Sequence, residues 1–385
     1  MKLIEAIREE ASCWIPRRLE RLCCRLEEMG VGAALLSSQA SLRYLAGYEA
    51  PIEWGTSPFT PCASVLVLIS GRRPELLLAE GEVLDPAPSG VLVSRFPGYA
   101  FREPTDSMAE LCSCIVDRLQ GISRPVLAVE TAHLPAALLI AIEHAHTPLL
   151  VIDLSAEVAA MRAIKDPAEI QLLREAVRLT DVGQSAAREA ARPGISEIEL
   201  FGEIRKAMEH AAGGRVPILA DLISGSRSAE AGGLPGNRIL REGEMVIVDL
   251  VPRYRGMWGD SCNTLVIGHA SPAQNRLLDQ VAEILAGLIK LVRPGAKACD
   301  LDATGREKIA GLGGTYEHHT GHGLGASWHE EPRIVPYNTL ELKPGMVLAL
   351  EPGIYFEGQF GVRLESVMLV TDQGAEVLTR FNHRA

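Results

Sequence analysis

The chain has 385 residues, 47% hydrophobic and 23% charged, which predicts a folded globular protein of two domains. Its formal net charge of −11 disfavours nucleic acid or an anionic membrane as the main partner, because both bind basic faces. The opening MKLIEAIREE is too charged for a secretory signal and no run of about 18 apolar residues could span a bilayer, so we expect a cytoplasmic protein with reduced cysteine thiols.

Residues 1–155 alternate helix and strand patterns. RRLERLCCRLEEMG and TDSMAELCSCIVDRL have the pattern of helices, and the first should end at Gly30. Short apolar runs have the length of buried strands: VGAALLSS, SVLVLIS, ELLLAE, GVLVS, PVLAVE and LLVIDL. No glycine-rich phosphate loop follows any of them, which disfavours a nucleotide site. We therefore predict an α/β N-terminal domain over residues 1–155.

Helix-start signals mark the beginning of a second domain, which we assign to residues 165–385. Asp166 is followed by proline and then by Glu169, and Ser196 is followed by Glu199. Each pair has the spacing of a capping box, in which side chain and backbone satisfy one another at the first turn. MVIVDL, which begins at residue 245, is a predicted buried strand.

The second domain contains an internal repeat. ARPGISEIEL and VRPGAKACDL align without gaps at an offset of 101 residues. Gly243 precedes Asp249 by six residues, and Gly345 precedes Glu351 by the same six. We infer an α+β domain built from two helix–helix–hairpin halves related by a pseudo-two-fold repeat.

Each predicted hairpin carries two acids. In VIVDLVPRYRGMWGDSCNTLVIG, a turn at residues 254–255 places Asp249 directly opposite Asp260. In LALEPGIYFEGQFGVRLESVMLV, a loop at residues 357–359 places Glu351 opposite Glu365. Like charges facing each other on a sheet are destabilising, and burial adds to the cost, so the pattern predicts a polyvalent cation.

A histidine-rich run, HHTGHGLGASWHEEP, lies between the two hairpins in sequence. Four carboxylates and one imidazole are too many anionic ligands for a single structural zinc ion. The set suits two bridged divalent ions that activate water and polarise a carbonyl group. Mn²⁺, Co²⁺ or Fe²⁺ fit this ligand mixture, and Zn²⁺ is a further candidate.

Six motifs together resemble the pita-bread metallohydrolases, which include Xaa-Pro aminopeptidase, prolidase, methionine aminopeptidase and creatinase. They are VIVDL, WGDSCNT, HTGHGLG, WHEEP, ALEPGIY and GVRLES. GVGAALLSSQASLRYLAGYEAP is similar to the opening of the creatinase-type N-terminal domain. The resemblance covers nearly the whole chain and implies a creatinase-type domain followed by a pita-bread catalytic domain, in a protein that is commonly a homodimer.

The resemblance also implies roles for individual residues. His329 would contact substrate and stabilise the tetrahedral intermediate, His318 would belong to the substrate pocket, and Arg363 would orient the carboxylates. Glu351 would be a metal ligand, and Glu351 or a neighbouring carboxylate would take up the proton of the attacking water as general base. The implied metal ligands are Asp249, Asp260, His322, Glu351 and Glu365.

Some positions depart from the family pattern or have smaller roles. Gly232 stands where the resemblance predicts a pocket histidine, seventeen residues before the first ligand, and Asn263 stands where arginine is frequent. The missing imidazole affects how substrate is held more than it affects hydrolysis, and both departures favour a small non-peptide substrate more than a standard prolidase would. Thr264 is expected to support Asp260, and His319, to which we assign no role, is expected to face solvent.

The sequence therefore predicts a metallopeptidase, either an Xaa-Pro aminopeptidase or an Xaa-Pro dipeptidase. One alternative keeps the fold but takes a small non-peptide substrate, as a creatinase-like or ectoine-type C–N hydrolase or a lyase would. A second alternative is a non-catalytic protein-binding module, which the intact ligand set disfavours.

Overall fold

The structure is a computed structural model that describes residues 2–49, 64–82, 84, 90–122, 124–145 and 149–383. The chain divides into two compact units, Met1–Met161 and Arg162–Ala385. Among the described residues, no helix combines the length and apolar character that a bilayer span requires.

The first unit is an α/β unit. Its described helices are α1 (Lys2–Glu28), α2 (Gln39–Ala46), α3 (Ser107–Leu119), α4 (Ala136–Ala145) and α5 (Ser155–Ala163), the last two residues of α5 being counted in the second unit. Its described strands are β1 (Ala33–Leu36), β2 (Val65–Ile69), β3 (Glu75–Ala79), β4 (Leu92–Phe96), β5 (Val126–Val129) and β6 (Leu150–Asp153). These strands form one sheet in the order β4-β3-β2-β1-β5-β6, so every strand predicted in this region is confirmed.

Both faces of this sheet are buried. Ala34 and Leu36 of β1 pack in one apolar cluster, while Ala33 and Leu35 of the same strand pack in another. Because neighbouring side chains of a strand point to opposite faces, each face must be covered by helices. This explains why the strands read as continuous apolar runs.

The second unit contains both helices and antiparallel sheets. Its helices are α6 (Pro167–Ala190), α7 (Glu197–Ala212), α8 (Pro272–Leu291), α9 (Ala298–Ala310) and a 3₁₀ helix (Gly225–Glu230). Its first strands are β7 (Ile218–Ser224), β8 (Met245–Tyr254), β9 (Met257–Trp258) and β10 (Ser261–Val266). Its later strands are β11 (Gly321–Gly323), β12 (Glu330–Ile334), β13 (Val347–Leu350), β14 (Gly353–Phe356), β15 (Phe360–Arg363), β16 (Ser366–Thr371) and β17 (Gly374–Val377).

The helix starts were predicted correctly. Asp166 accepts a hydrogen bond from the backbone of Glu169, whose side chain accepts one from the backbone of Asp166 in return. Ser196 and Glu199 make the same reciprocal pair at the start of α7. Such caps depend on residues within one turn, so a local sequence pattern is sufficient to find them.

The predicted repeat is visible in matching backbone contacts. The amide of Gly194 donates to the carbonyl of Leu240 at 3.0 Å, and the amide of Gly295 donates to Leu342 at 2.9 Å. The two donors are 101 residues apart and the two acceptors 102. Both glycines have positive φ, +92° and +80°, a conformation that favours glycine. The halves therefore repeat in structure as well as in sequence.

The first hairpin differs from the prediction in its turn. Tyr254 pairs with Met257, so the turn residues are Arg255 and Gly256 and not residues 254–255. Both have positive φ, +49° and +77°, as a type I′ turn requires. The shift places Asp249 opposite Cys262, and the predicted direct pairing of the two aspartates is wrong.

The change in register preserves the face on which the acids lie. Asp260 is displaced by two residues from Cys262, the partner of Asp249, and a shift of two keeps the same side of a strand. Asp249 and Asp260 are therefore diagonal neighbours.

The second hairpin has the predicted register. It turns at residues 357–359, and the pair Leu350–Ser366 continues the same register in β13 and β16. Glu351 and Glu365 directly follow and precede that pair, so they lie opposite each other as predicted.

Candidate metal centre

A cavity of about 640 Å³ lies in the second unit, and its lining includes every metal ligand and catalytic residue suggested by the sequence. The apolar part of the lining includes Ile198, Phe201, Leu219, Leu234 and Trp328. The polar part includes Asp249, Asp260, His318, His322, His329, Glu351, Arg363 and Glu365. Residues separated by more than 100 positions in the sequence therefore share one concave site.

Two groups of potential metal-ligating atoms from the described residues lie in the cavity, His319 with His322 and His329, and a second group that contains carboxylates. Potential ligand atoms of Asp260, His322 and Glu365 lie within 4.8 Å of one another. Glu351 joins them, with its Oε1 atom 3.7 Å from Nε2 of His322, while Oδ2 of Asp260 is 3.6 Å from the same nitrogen. Asp249 lies beside Asp260 on the same strand face. The arrangement offers four carboxylates and one imidazole.

The backbone fixes the orientation of the His322 ring. Its Nδ1 atom lies 2.9 Å from the carbonyl oxygen of Gly323, which can only accept, so Nδ1 carries the proton. Burial lowers the pKa of His322 to about 4, which keeps the ring neutral at pH 7. The lone pair of Nε2 therefore faces the carboxylates and is available to a metal ion.

The carboxylates lack sufficient positive charge among the protein's own groups. Burial, followed by nearby carboxylates, raises the pKa of Asp260 and Glu365 well above the usual values, and raises that of Asp249 to about 6. Oδ1 of Asp249 and Oε1 of Glu365 are buried without a hydrogen-bond partner. Oxygen atoms left in this condition are what divalent cations bind, so the residues present fit a pair of such ions.

His319 lies in the site and not in solvent, contrary to our expectation. Its Nε2 atom is 2.8 Å from Oε1 of Glu351, and this hydrogen bond raises the pKa of the imidazole. Burial alone would raise the pKa of Glu351, but the hydrogen bond from His319 and the nearby imidazoles lower it below its usual range. Glu351 is therefore ionised at neutral pH.

Arg363 is held in a buried position against the first aspartate. Its Nη2 atom donates to Oδ2 of Asp249 at 2.6 Å, and Nη1 donates to the carbonyl of Ala231. Thr264, expected to support Asp260, instead exchanges hydrogen bonds with the backbone of Arg363 at 2.9 and 3.0 Å. The guanidinium fork thus orients one carboxylate of the site.

The two other cavity histidines differ in their availability. Nδ1 of His318 donates to the carbonyl of His319, and Nε2 accepts from the hydroxyl of Tyr355, both at 2.8 Å. His329 is exposed, and its ring centroid lies 4.3 Å from that of His322. Partial desolvation on the cavity side of the ring, followed by the nearby His319 imidazole, lowers the pKa of His329 and favours the neutral ring. Of the two, His329 has the free edge that a substrate could contact.

Glu330, which the sequence interpretation overlooked, anchors the segment that carries His329. Its carboxylate lies 2.8 Å from Nζ of Lys165 and 3.2 Å from Nε of Arg162, and it accepts from the amide of Ser327 at 3.0 Å. Lys165 precedes this acid by 165 residues, so no local pattern could reveal the pair.

Comparisons with known proteins identify the family to which the chain belongs. Residues 171–372 match the family model described as Metallopeptidase family M24, and residues 18–164 match that of the Creatinase/Prolidase N-terminal domain. The Bacillus subtilis (strain 168) protein YkvY is 29% identical over 94% of this chain and 98% of its own length. An Xaa-Pro dipeptidase of Pyrococcus furiosus is 33% identical over 57% of this chain and 64% of its own. The solved Xaa-Pro dipeptidase from Bacillus anthracis has a TM-score of 0.81 and 27% identity, covering 95% of this chain and 98% of that one.

Proposed function

Because this chain belongs to metallopeptidase family M24, which implies divalent metal ions, we propose that it is a dinuclear metal-dependent peptidase that cleaves the bond before proline. The observation that carries the proposal is the meeting of four carboxylates and one imidazole in one cavity, with two buried carboxylate oxygens unpartnered. The preference for Xaa-Pro bonds is supported by relatives named Xaa-Pro dipeptidase.

We assign the metal ligands to the set Asp249, Asp260, His322, Glu351 and Glu365. Two divalent ions bound there would supply an activated water nucleophile and polarise the scissile carbonyl group. Four carboxylates match the charge of two such ions. The oxygen-rich set favours Mn²⁺, with Co²⁺, Fe²⁺ and Zn²⁺ as the competitors to be tested.

The protein's own side chains have distinct tasks in this scheme. Glu351, ionised at neutral pH, accepts the proton of the attacking water. His329, with a free edge in the cavity, donates a hydrogen bond to the oxyanion. Arg363 holds the carboxylate of Asp249, and His318, which lines the cavity, accepts a hydrogen bond from the hydroxyl of Tyr355.

The shape and lining of the cavity support a small peptide as the substrate. Leu234 and Trp328 are 76% and 44% exposed, and exposed apolar side chains around a polar centre are typical of ligand sites. A small non-peptide substrate would leave most of this apolar wall uncovered. A non-catalytic binding module would have no need of the complete ligand set.

The test is metal analysis followed by a substrate panel. Purified protein is stripped with EDTA, reloaded with Mn²⁺ and assayed on Xaa-Pro dipeptides, Xaa-Pro-Yaa peptides, creatine and an ectoine-like compound. We expect two ions per chain and hydrolysis only of the peptides, with both lost in the Asp260→Asn variant. Hydrolysis of creatine or the ectoine-like compound alone would contradict the proposed substrate class.

A further inference from the structure

Asp221 is an acid of the cavity wall to which the scheme above gives no role. It lies on β7, its side chain is 38% exposed, and it lines the cavity. In the sheet it stands directly opposite Asp249 on β8. Two directly opposed carboxylates repel each other, so this arrangement requires a positive charge close by.

The protein supplies little positive charge to Asp221. Arg363 is the only arginine or lysine among the described residues that line the cavity. Its Nη2 atom lies 2.6 Å from Oδ2 of Asp249 but 3.6 Å from Oδ2 of Asp221, beyond hydrogen-bond distance. Two divalent ions would balance the four proposed ligand carboxylates, which leaves the single charge of Arg363 for Asp221. Because that guanidinium lies 3.6 Å from Oδ2 of Asp221, it donates no hydrogen bond to this oxygen, and Asp221 lines the substrate space.

The local backbone holds this carboxylate in a defined position. The amide of Gly233 donates to Oδ1 of Asp221 at 2.9 Å, which leaves Oδ2 for another partner. A Cβ atom at Gly232 would lie only 2.6 Å from that Oδ2 atom. Asp221 thus occupies the space that a side chain at position 232 would need, where the sequence resemblance predicts a histidine.

An apolar surface lies beside the carboxylate. Leu219 precedes Asp221 by two residues on the same face of β7 and pairs with Val251, which also lines the cavity. Leu234, 76% exposed, follows the glycine pair. We call Leu219, Val251 and Leu234 the apolar row. Lysine and arginine side chains have an apolar stem and a cationic end, so the stem could pack on the apolar row while the cation reaches Asp221.

We propose that Asp221 determines specificity by binding a cationic nitrogen on the substrate residue at the amino side of the scissile bond. The apolar row favours the ammonium or guanidinium group of a lysine or arginine side chain, and the α-ammonium group is the other source of the same chemistry. This inference rests on the proposed function, since it names the substrate class of the same site.

The experiment compares the wild type with Asp221→Asn, which keeps the acceptor for Gly233 but removes the charge. Values of kcat/KM are measured for Lys-Pro, norleucine-Pro, Leu-Pro and 4-methylpentanoyl-proline, the last being Leu-Pro without its amino group. Loss of the charge-assisted hydrogen bond in Asp221→Asn should lower kcat/KM about 10- to 100-fold for the substrates whose cationic nitrogen Asp221 binds. Glu230→Gln, at an exposed acid outside the cavity lining, is the matched control for lost charge.

Two results support the proposal and identify the source of the cation. If kcat/KM falls more for Lys-Pro than for norleucine-Pro in Asp221→Asn, Asp221 binds the ammonium group of the lysine side chain. Equal falls for these two, with 4-methylpentanoyl-proline unaffected, assign the α-ammonium group. Unchanged values for all substrates, or an equal fall that includes the substrate without an amino group, would overturn it.

A binding measurement separates this proposal from the proposed function. Calorimetry of the Mn²⁺-loaded protein compares L-lysine with L-norleucine in the wild type and in Asp221→Asn. We expect the wild type to bind lysine more tightly and the variant to lose that difference. If no Xaa-Pro substrate is hydrolysed, the proposed function fails while the lysine measurement still decides the role of Asp221. That role would be refuted if the wild type bound the two amino acids equally and the Asp221→Asn variant lowered kcat/KM no more for Leu-Pro than for 4-methylpentanoyl-proline.

Discussion

The backbone amide of Glu365 donates a hydrogen bond to the carbonyl oxygen of Cys262 at 2.8 Å. This bond joins the second hairpin to the first. Glu365 is itself an acid of the second hairpin, and Cys262 is the strand partner of Asp249 in the first. The four carboxylates come in pairs from the two structural halves, so the site exists only where the halves meet.

Metal binding should stabilise the protein through these carboxylates. After EDTA treatment, we expect saturating Mn²⁺ to raise the melting temperature of the wild type by several degrees, because a hundredfold excess over Kd contributes about 2.7 kcal/mol. Glu365→Gln removes one charge from the centre and should abolish the shift in differential scanning fluorimetry. Glu230→Gln should retain it. An undiminished shift in Glu365→Gln would exclude Glu365 as a ligand.

Arg363 should affect metal affinity without contacting the metal. Lysine at this position cannot reach both Asp249 and the carbonyl of Ala231, because a single ammonium group lacks the planar fork. We expect Arg363→Lys to weaken Mn²⁺ binding about 10- to 100-fold in titration calorimetry. Arg333→Lys, at an exposed ion pair, should bind Mn²⁺ like the wild type. Wild-type affinity in Arg363→Lys would mean that Asp249 needs no such support.

His329 should contribute to the reaction and not to metal binding. We expect His329→Gln to lower kcat about 10²- to 10³-fold, the usual effect of removing one donor to an oxyanion. Metal content should stay at the wild-type value, because none of the proposed ligands depends on this ring. A parallel loss of metal would instead assign His329 to the metal centre.

Glu330 should make stability depend on pH. Burial alone would raise its pKa, but Lys165 and Arg162 outweigh burial and lower it. A depressed pKa in the folded state contributes stability above the unfolded value of about 4.3, and this contribution is lost as pH falls through the folded pKa. Glu330→Gln also leaves the buried Lys165 without its carboxylate, at a cost of roughly 3–5 kcal/mol.

Urea unfolding of Glu330→Gln at two pH values provides the measurement. We expect the loss of unfolding free energy relative to the wild type to be larger at pH 7 than at pH 3. Glu341→Gln, at an exposed acid, controls for the change in net charge. A difference that is equal at both pH values would mean that the ion pair does not control the acid transition.

A side chain at position 232, even the methyl group of alanine, should change the substrate preference. The added methyl group of Gly232→Ala would displace the carboxylate of Asp221, which is the end of a side chain and can move. We expect a folded, metal-binding protein whose kcat/KM for Lys-Pro falls toward that for norleucine-Pro. Gly202→Ala, on the open face of α7 with nothing near its Cβ position, is the control for a glycine-to-alanine change. An unaltered preference would show that the carboxylate position does not matter.

The sequence predicted those features that depend on nearby residues. Capping boxes lie within one helical turn, and the second hairpin has a loop whose flanking phenylalanines, Phe356 and Phe360, pair as expected. The first hairpin was predicted two residues out of register, because the choice between turns at Tyr254 and Gly256 depends on which residues adopt positive φ. That error left both aspartates on one face, so the site prediction survived it.

Other features depended on contacts that no local pattern contains. The role proposed for Asp221 depends on the pairing of β7 with β8, which places it opposite Asp249, 28 residues later in the sequence. His319 was expected in solvent because the sequence assigned it no role, yet the fold brings it to Glu351. In both cases the partner comes from a distant part of the sequence, and only the tertiary structure identifies it.

The most direct test of the central claim is anomalous diffraction from crystals of the Mn²⁺-loaded protein. We predict two peaks about 3.5–4 Å apart, as in other two-metal sites, bounded by the four carboxylates and His322. A single ion, or ions bound by His319 and His329 away from Asp260 and Glu365, would contradict the proposed dinuclear centre.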